Sequence, residues 1–296
     1  MAIKISGKEV SASIRERLKE ECSSLKEKYN VVPCLAVVLV GDNSASQTYV
    51  KNKKLACEEL GYNHKDFTLD KSVSEEELLA LINELNRDDE VHGILVQLPL
   101  PSHINEERVI KTIEPNKDVD GFHPVNAGLL MQGDPIFIPC TPKGILALLD
   151  YYSIDTDGKR VCVIGRSNIV GKPIAMLLMQ KGRDATVTVC NTHTKDLKAI
   201  TLSSDIIIVA SGCVNTLTSD MISENVVIID VGINRIEDKS RERGWRLVGD
   251  VDYTKCKEKA YAITPVPGGV GPMTITMLME NTLYAAKRKC SGLVKE

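Results

Sequence analysis

Tyr49 and Lys53 stand four residues apart in the run YVKNK, so on a helix they share one face on successive turns. Ala45, Tyr49, Lys53, Ala56 and Leu60 mark that face as the one turned to the core, which puts an amine where an apolar side chain is expected. A lysine in partly apolar surroundings holds its proton less tightly and becomes useful for proton transfer. The same spacing also suits a lysine that snorkels its ammonium to solvent beside Lys51 and Lys54. Tyr49 suits either core packing or a platform for a flat ring. Gln97 follows the apolar stretch Ile94 to Val96 and precedes Pro99, so it stands at the carboxyl end of a buried strand. Ligands of open parallel sheets gather there, and a glutamine at such a place either orients a substrate or satisfies loop backbone. Asp118, Asp120 and His123 lie close together in DVDGFHPVNAG, read here as a polar loop. Their spacing matches no metal-ligand pattern, and no metal is expected.

A second set of special residues begins at RVCVIGRSNIVGKP, Arg160 to Pro173. Val161, Val163 and Ile164 form a short β-branched run of the kind buried in parallel sheets. Gly165 permits a tight turn, Ser167 and Asn168 can cap a following helix, and Gly171 allows that helix to approach the strand. The free N–H groups of such a turn can cradle a phosphate. The spacing is wider than GxGxxG, however, and an ordinary strand-to-helix turn reads the same way. The next strand, Ala185 to Val189, ends in CNTHTK. A dinucleotide site selective for NAD carries an acid at that tip to bind the ribose hydroxyls. Here there is none, while Arg166, Thr192 and His193 can donate to a 2'-phosphate, which favours NADP. Finally, Thr264 to Thr274 reads TPVPGGVGPMT. Prolines stiffen it, and its glycines permit close backbone approach, a composition suited to the wall of a site.

The elements that must carry these residues alternate between strand and helix. Val10, Ile14, Leu18 and Leu25 recur at helical spacing from about Lys8 to Lys28. Leu35 to Val40 reads as a buried strand closed by Gly41. Ser44 with Gln47 is a capping-box pair opening a helix from about Ala45 to Leu60. Phe67 and Leu69 mark another strand, and Ser74 with Glu77 a second capping box ahead of Leu78, Leu81, Ile82 and Leu85. A short helix is expected near Asn105 to Ile113, and Thr141-Pro142 starts another. After the glycine turn come a helix through Met176 and Leu178, strands at Ile206 to Ala210 and Val226 to Val231, and a long last helix with Pro272 in its first turn. The expected fold class is α/β, with two αβα domains, the second of Rossmann type.

Composition limits the alternatives. A chain of 296 residues with 43% hydrophobic and 26% charged residues is ordinary for a globular protein of two domains. A net charge of -3 argues against a general nucleic-acid or membrane-surface binder. Nine scattered cysteines without a CxxC pair suit free thiols in a reducing, cytoplasmic setting. No stretch is apolar enough to span a bilayer and none resembles a signal peptide.

YVKNK, VQLPLP (Val96 to Pro101), DVDGF (Asp118 to Phe122), GRSNIVGKP and TPVPGGVGPMT occur in one order along nearly the whole chain. In this the sequence resembles the bifunctional methylenetetrahydrofolate dehydrogenase/cyclohydrolase (FolD) family. The resemblance implies oxidation of 5,10-methylenetetrahydrofolate with NADP and hydrolysis of the methenyl product to 10-formyltetrahydrofolate, without a metal. It implies tetrahydrofolate derivatives as partners and a homodimer. It also implies a folate-binding catalytic domain of residues 1–140 plus 281–296, to which the last helix returns, and a dinucleotide-binding domain of residues 141–280. Lys53 would be the principal catalytic residue, with Tyr49 stacking on the folate, Gln97 assisting Lys53 and Asp120 binding the pterin. Tyr49, Val50, Lys51, Asn52, Lys53, Val96, Gln97, Leu98 and Asp120 would line the substrate. So would the run Pro267, Gly268, Gly269, Val270, Gly271, Pro272, Met273, Thr274 and Ile275. Gly165, Arg166, Ser167, Thr192 and Ile233 would bind NADP. Family members often read Cys-His-Ser where this chain has Cys190-Asn191-Thr192, which keeps a hydroxyl and removes an imidazole. A monofunctional NAD(P)-dependent dehydrogenase of the same architecture is the alternative enzyme; a non-catalytic nucleotide sensor would have no need of Tyr49, Lys53 and Gln97 together.

Overall fold

In chain order the elements are β1 (Ile3–Lys4), α1 (Gly7–Tyr29), β2 (Cys34–Val40), α2 (Ser44–Leu60), β3 (Asn63–Leu69), α3 (Glu75–Arg87), β4 (Gly93–Val96), α4 (Glu106–Thr112), α5 (Pro124–Gln132) and α6 (Cys140–Tyr151). They continue with β5 (Arg160–Ile164), α7 (Gly171–Leu178), β6 (Thr186–Cys190), α8 (Leu197–Leu202), β7 (Ile206–Val209), β8 (Val227–Asp230), β9 (Asn234–Glu237), β10 (Trp245–Val248), α9 (Tyr253–Cys256), β11 (Ala262–Ile263) and α10 (Val270–Cys290). This computed structural model describes residues 2–241 and 244–292, with the side chains of Ser44 and Ala45 outside the described set. The chain forms two compact units: Met1–Ala12 with Thr141–Thr274, and Ser13–Cys140 with Ile275–Glu296.

The second of these units is built on a parallel three-stranded sheet in the order β3-β2-β4. Its centre, β2, reads CLAVVLV and is buried at every residue, as a parallel strand covered on both faces must be. Ala36, Val38 and Val40 pack with Leu78, Ile82 and Leu85 of α3 and Val109 beside α4's end at Ile113. Leu35, Val37 and Leu39, which alternate with them, are buried as well. The edge strand β3, NHKDFTL, has only Phe67 and Leu69 as apolar residues and is correspondingly half exposed. α3 opens on the capping box expected at Ser74 and Glu77, each accepting from the other's backbone N–H at 3.2 and 3.0 Å. At α2 the expected Ser44 cap lies outside the described side chains, and so does Ala45 on the helix face; the N–H of Ser46 donates to Asn43 Oδ1 at 3.1 Å. The stretch read as a polar loop after Asp118 is partly helical. His123 caps α5 by accepting from Val125 N–H, and Pro124 takes the first turn.

The other unit holds a parallel six-stranded sheet in the order β1-β11-β8-β7-β5-β6, and β9 and β10 pair separately as an antiparallel hairpin. β5 has β6 on one side and β7 on the other, so strand order reverses at β5, the topological switch point at which open α/β sheets bind ligands. Cys162, Ile164, Ile207, Val209, Ile228 and Ile263 form one core layer, and Val161, Val163, Ile206, Ile208 and Ile229 are buried from the other face. The first twelve residues, expected in the folate domain, belong here because Ile3 and Lys4 pair with Ala262 and Ile263 of β11. Residues 275–280, expected with the dinucleotide domain, cluster with the other unit. The two-residue strands β1 and β11 and the β9-β10 hairpin carry too little apolar periodicity to be read from sequence.

Candidate active site

Lys53 lies on α2 one turn before Ala56 and Cys57, both buried, so its stem runs along the apolar stripe while its amine reaches the sheet edge. There Nζ donates to Gln97 Oε1 at 2.8 Å. Gln97 is placed by β4: its backbone N–H continues the ladder to Val38 O at 2.8 Å, and its amide nitrogen donates to Leu98 O at 2.7 Å. That second bond fixes the amide so that its carbonyl oxygen faces the lysine. Burial pulls the pKa of Lys53 below the ordinary amine value, while Asp120 and Cys140 act in the opposite sense. Burial likewise pushes Asp120 above the usual carboxylate range, opposed by Lys53 and by a Cys140 Sγ–H bond to Oδ1 at 3.7 Å. A low-dielectric setting thus favours the uncharged amine, and the adjoining carboxyl moderates that preference. A shift in that direction makes the amine a better candidate for accepting and returning a proton.

Asp118 serves a different purpose from its neighbour. Only 2% exposed, it accepts from Phe122 N–H at 3.2 Å, His123 N–H at 2.8 Å and Asn126 Nδ2 at 2.7 Å. Its carboxylate ties the loop to α5 and is pushed up to about 6 by burial. Asn281 of α10 fastens the other side: its amide donates to Val119 O at 2.8 Å and Ile138 O at 3.0 Å. Asp120 is therefore held between two fixed backbone segments. The roles of Asp118, Cys140 and Asn281 are not apparent from residue type alone; a polar residue on an apolar helix face, as Asn281 is, was the available signal.

Tyr49 is 43% exposed one turn from Lys53, which removes it from the core and leaves its ring open to a ligand. Val50 and Leu98 are half-buried, and Lys51 and Asn52 are exposed. Val96 is 7% exposed and belongs to the core.

In the unit carrying the six-stranded sheet, Gly165 has φ +123°, and a Cβ there would meet Ala210 O at 2.2 Å. A Cβ on Gly171 would meet Gly165 O at 2.2 Å. Both glycines are thus required for the turn to close against β7 and for α7 to begin directly over it. Ser167 Oγ accepts from the N–H groups of Val170 and Gly171 at 3.1 and 3.4 Å. Asn168, the other expected cap, instead accepts from Lys172 Nζ at 2.7 Å, because the helix starts at Gly171. Ile164 pairs with Cys190, so the turns bearing Arg166 and Thr192 leave neighbouring strands side by side, both exposed. Asn191 is occupied in its own turn, its Oδ1 accepting from His193 N–H at 2.9 Å and its N–H donating to Thr194 Oγ1 at 2.8 Å.

The proline-glycine run divides. Pro267 is exposed and Gly268 half-buried, while α10 already begins at Val270, so Val270, Gly271 and Pro272 are helical. Val270 and Met273 point inward at 3% and 0% exposure. Thr274 Oγ1 lies 3.0 Å from Thr141 Oγ1. Ile233, 48% exposed, approaches to 3.7 Å of the position a Cβ on Gly271 would take. Ile275 falls in the other unit.

Residues 5–120 match the tetrahydrofolate dehydrogenase/cyclohydrolase catalytic domain, and residues 139–290 match the NAD(P)-binding domain of the same name. The chain belongs to the tetrahydrofolate dehydrogenase/cyclohydrolase family. It is 54% identical over 286 residues to the bifunctional protein FolD of Campylobacter jejuni, covering 96% of this chain and 98% of that one. The crystal structure of the bifunctional FolD enzyme from C. jejuni superposes with a TM-score of 0.92 at 53% identity, covering 98% of this chain and all of the other. The Trypanosoma brucei methylenetetrahydrofolate dehydrogenase-cyclohydrolase, solved with NADP cofactor and an inhibitor, gives a TM-score of 0.93 at 38% identity over 98% of each chain.

Proposed function

We propose that this family member oxidises 5,10-methylenetetrahydrofolate to the 5,10-methenyl cation with NADP+ and hydrolyses the cation to 10-formyltetrahydrofolate. The observation that carries the reading is the bond from Lys53 Nζ to a Gln97 carbonyl fixed from behind by Leu98 O, with Asp120 beside it. Hydride loss from the methylene carbon leaves a cation, which itself favours an uncharged amine nearby. Lys53, neutral, takes a proton from the water that attacks the methenyl carbon, and Gln97 holds the amine in line as it becomes an ammonium; the bond from that carbon to N5 then breaks, N5 takes a proton back, and the formyl group stays on N10. Asp120 offsets the positive charge so formed and accepts from the pterin. Tyr49 supplies a face on which the ring system stacks.

The Gly165–Gly171 turn, whose glycines let the chain fold tightly between β5 and the start of α7, suits a pyrophosphate at its free N–H groups, and the β6 tip offers no acid against a 2'-phosphate. NADP bound there would accept the hydride. Gly165, Arg166, Ser167, Thr192 and Ile233 would hold it, so the unit with the six-stranded sheet is read as dinucleotide-binding and the other as folate-binding. The run Pro267 to Ile275 is read as substrate wall. We take the enzyme to be a cytoplasmic homodimer. Among the described residues no helix is long and apolar enough to cross a membrane. The test is the absorbance of methenyltetrahydrofolate formed from the methylene substrate with NADP or NAD: faster formation with NADP supports the reading, and a preference for NAD refutes the cofactor choice.

A further inference from the structure

Strand β8 is apolar until its last residue, where an otherwise buried run VIID ends in Asp230. Asp230 is 2% exposed and Asp250, which follows β10, is 0% exposed. Burying two carboxylates without cations is costly unless every oxygen finds donors, and here the donors are N–H and O–H groups. Asp230 Oδ1 accepts from the backbone N–H of Gly232 at 3.0 Å and of Asp250 at 2.9 Å, and Oδ2 from Val251 N–H at 3.1 Å. Asp250 Oδ2 accepts from Ser211 N–H at 2.8 Å, Ser211 Oγ–H at 2.9 Å and Gly212 N–H at 2.8 Å. Its Oδ1 accepts from Asn234 Nδ2 at 2.8 Å.

The two carboxylates reach across each other. A Cβ on Gly232 would lie 2.1 Å from Asp250 Oδ1, and a Cβ on Gly249 would lie 1.8 Å from Asp230 Oδ2. Each acid therefore needs a glycine beside the other, which is the reason glycine stands at 232 and at 249. Among the donors that this clasp gathers are the N–H groups of Ser211 and Gly212, just beyond β7, and of Gly232, just beyond β8; β7 adjoins β5, the switch point. The clasp fixes the turn Ser211-Gly212 and the start of the segment carrying Ile233.

We propose that Asp250, buttressed by Asp230, is a positioning residue for the dinucleotide: the clasp sets the ledge after β7 and β8 on which the redox end of the cofactor rests. The inference depends on unit Met1–Ala12 with Thr141–Thr274 being the dinucleotide-binding unit. In Asp250→Asn an amide nitrogen must face either the Ser211 and Gly212 donors or Asn234, so a buried donor meets a donor. Asn234→Ala is the milder variant, freeing one oxygen of Asp250 and leaving the bonds to Ser211 and Gly212.

The experiment measures NADP affinity by titration calorimetry, kcat and KM for NADP in the dehydrogenase reaction, and hydrolysis of methenyltetrahydrofolate without nicotinamide. Asp250→Asn should weaken NADP binding by on the order of tenfold and Asn234→Ala by about threefold, with hydrolysis within about twofold of wild type. If Asp250→Asn fails to fold, Asn234→Ala alone decides. Soluble variants with wild-type NADP affinity overturn the proposal. So does a parallel fall of both activities with unchanged NADP affinity, which is the signature of a merely structural role. A wild type that does not bind NADP at all overturns the reading of the unit on which the proposal stands.

Discussion

Gln97→Leu removes the acceptor of the Lys53 bond while keeping most of the side-chain volume. The bond is 2.8 Å long, its acceptor is oriented by Leu98 O, and its donor becomes an ammonium during water attack. A hydrogen bond to a charged group contributes about 1.5–3 kcal/mol, so kcat for hydrolysis should fall by roughly 10- to 150-fold. The bond from Gln97 to Leu98 O is neutral and half-exposed, so its loss should cost stability only about 1 kcal/mol. Gln97 also prefers the ammonium as its partner, so its removal should lower the amine pKa further and move the acid limb of the hydrolysis profile to lower pH. The assay follows the decay of methenyltetrahydrofolate absorbance without nicotinamide from acid to mildly alkaline pH, alongside NADP affinity, which should not change. Undiminished hydrolysis, or a loss matched by weaker NADP binding, refutes the assigned geometry.

Asp120→Asn removes the charge that opposes the burial of Lys53, so the pKa of the amine should drop further and the acid limb of hydrolysis should shift to lower pH; a limb that stays or rises contradicts the coupling. Gly171→Ala places a Cβ where Gly165 O already stands at 2.2 Å, and NADP affinity measured by calorimetry should fall at least tenfold, on the order expected for a misplaced anion cradle. Arg166→Ala should erase the preference for NADP, giving similar kcat/KM with NADP and NAD; a retained preference assigns the 2'-phosphate contact elsewhere. His92 is buried, accepts Cys34 N–H at 3.2 Å and is pulled down from 6.5 to about 4. The unfolded chain takes up that proton first, so stability present above pH 6.5 should decline by up to about 3 kcal/mol as pH falls toward 4. Buried Asp118 and Asp230, both pushed up to about 6, act in the opposite sense over this range, so the check is relative: the wild-type denaturant midpoint should fall against that of His92→Gln between pH 7 and 4.5, and a constant difference would contradict it.

The unusual placement of Lys53 was legible because it interrupts the apolar stripe of α2, and that of Gln97 because β4 is a short apolar run followed by one polar residue; the roles proposed for them came from the family resemblance. The glycine turn after β5 was visible in composition, although α7 starts at Gly171, two to three residues later than a cap at Asn168 or Ser167 would place it. Other features escaped for physical reasons. α5 hides behind His123 and Pro124, whose combination reads as a turn until His123 is seen to accept from Val125. β1 and β11 are two residues each: β11 is held by the longer β8, and β1 in turn by β11. Asp230 and Asp250 are twenty residues apart, and nothing local states that each fills the space above the other's glycine.

The most direct measurement is the decay of methenyltetrahydrofolate without nicotinamide, catalysed by wild type and by Lys53→Met, with NADP binding measured on both proteins. Rapid decay with wild type, none above background with Lys53→Met, and equal NADP affinity is the predicted result; a Lys53→Met enzyme that hydrolyses at the wild-type rate would contradict a proton-handling role for that amine.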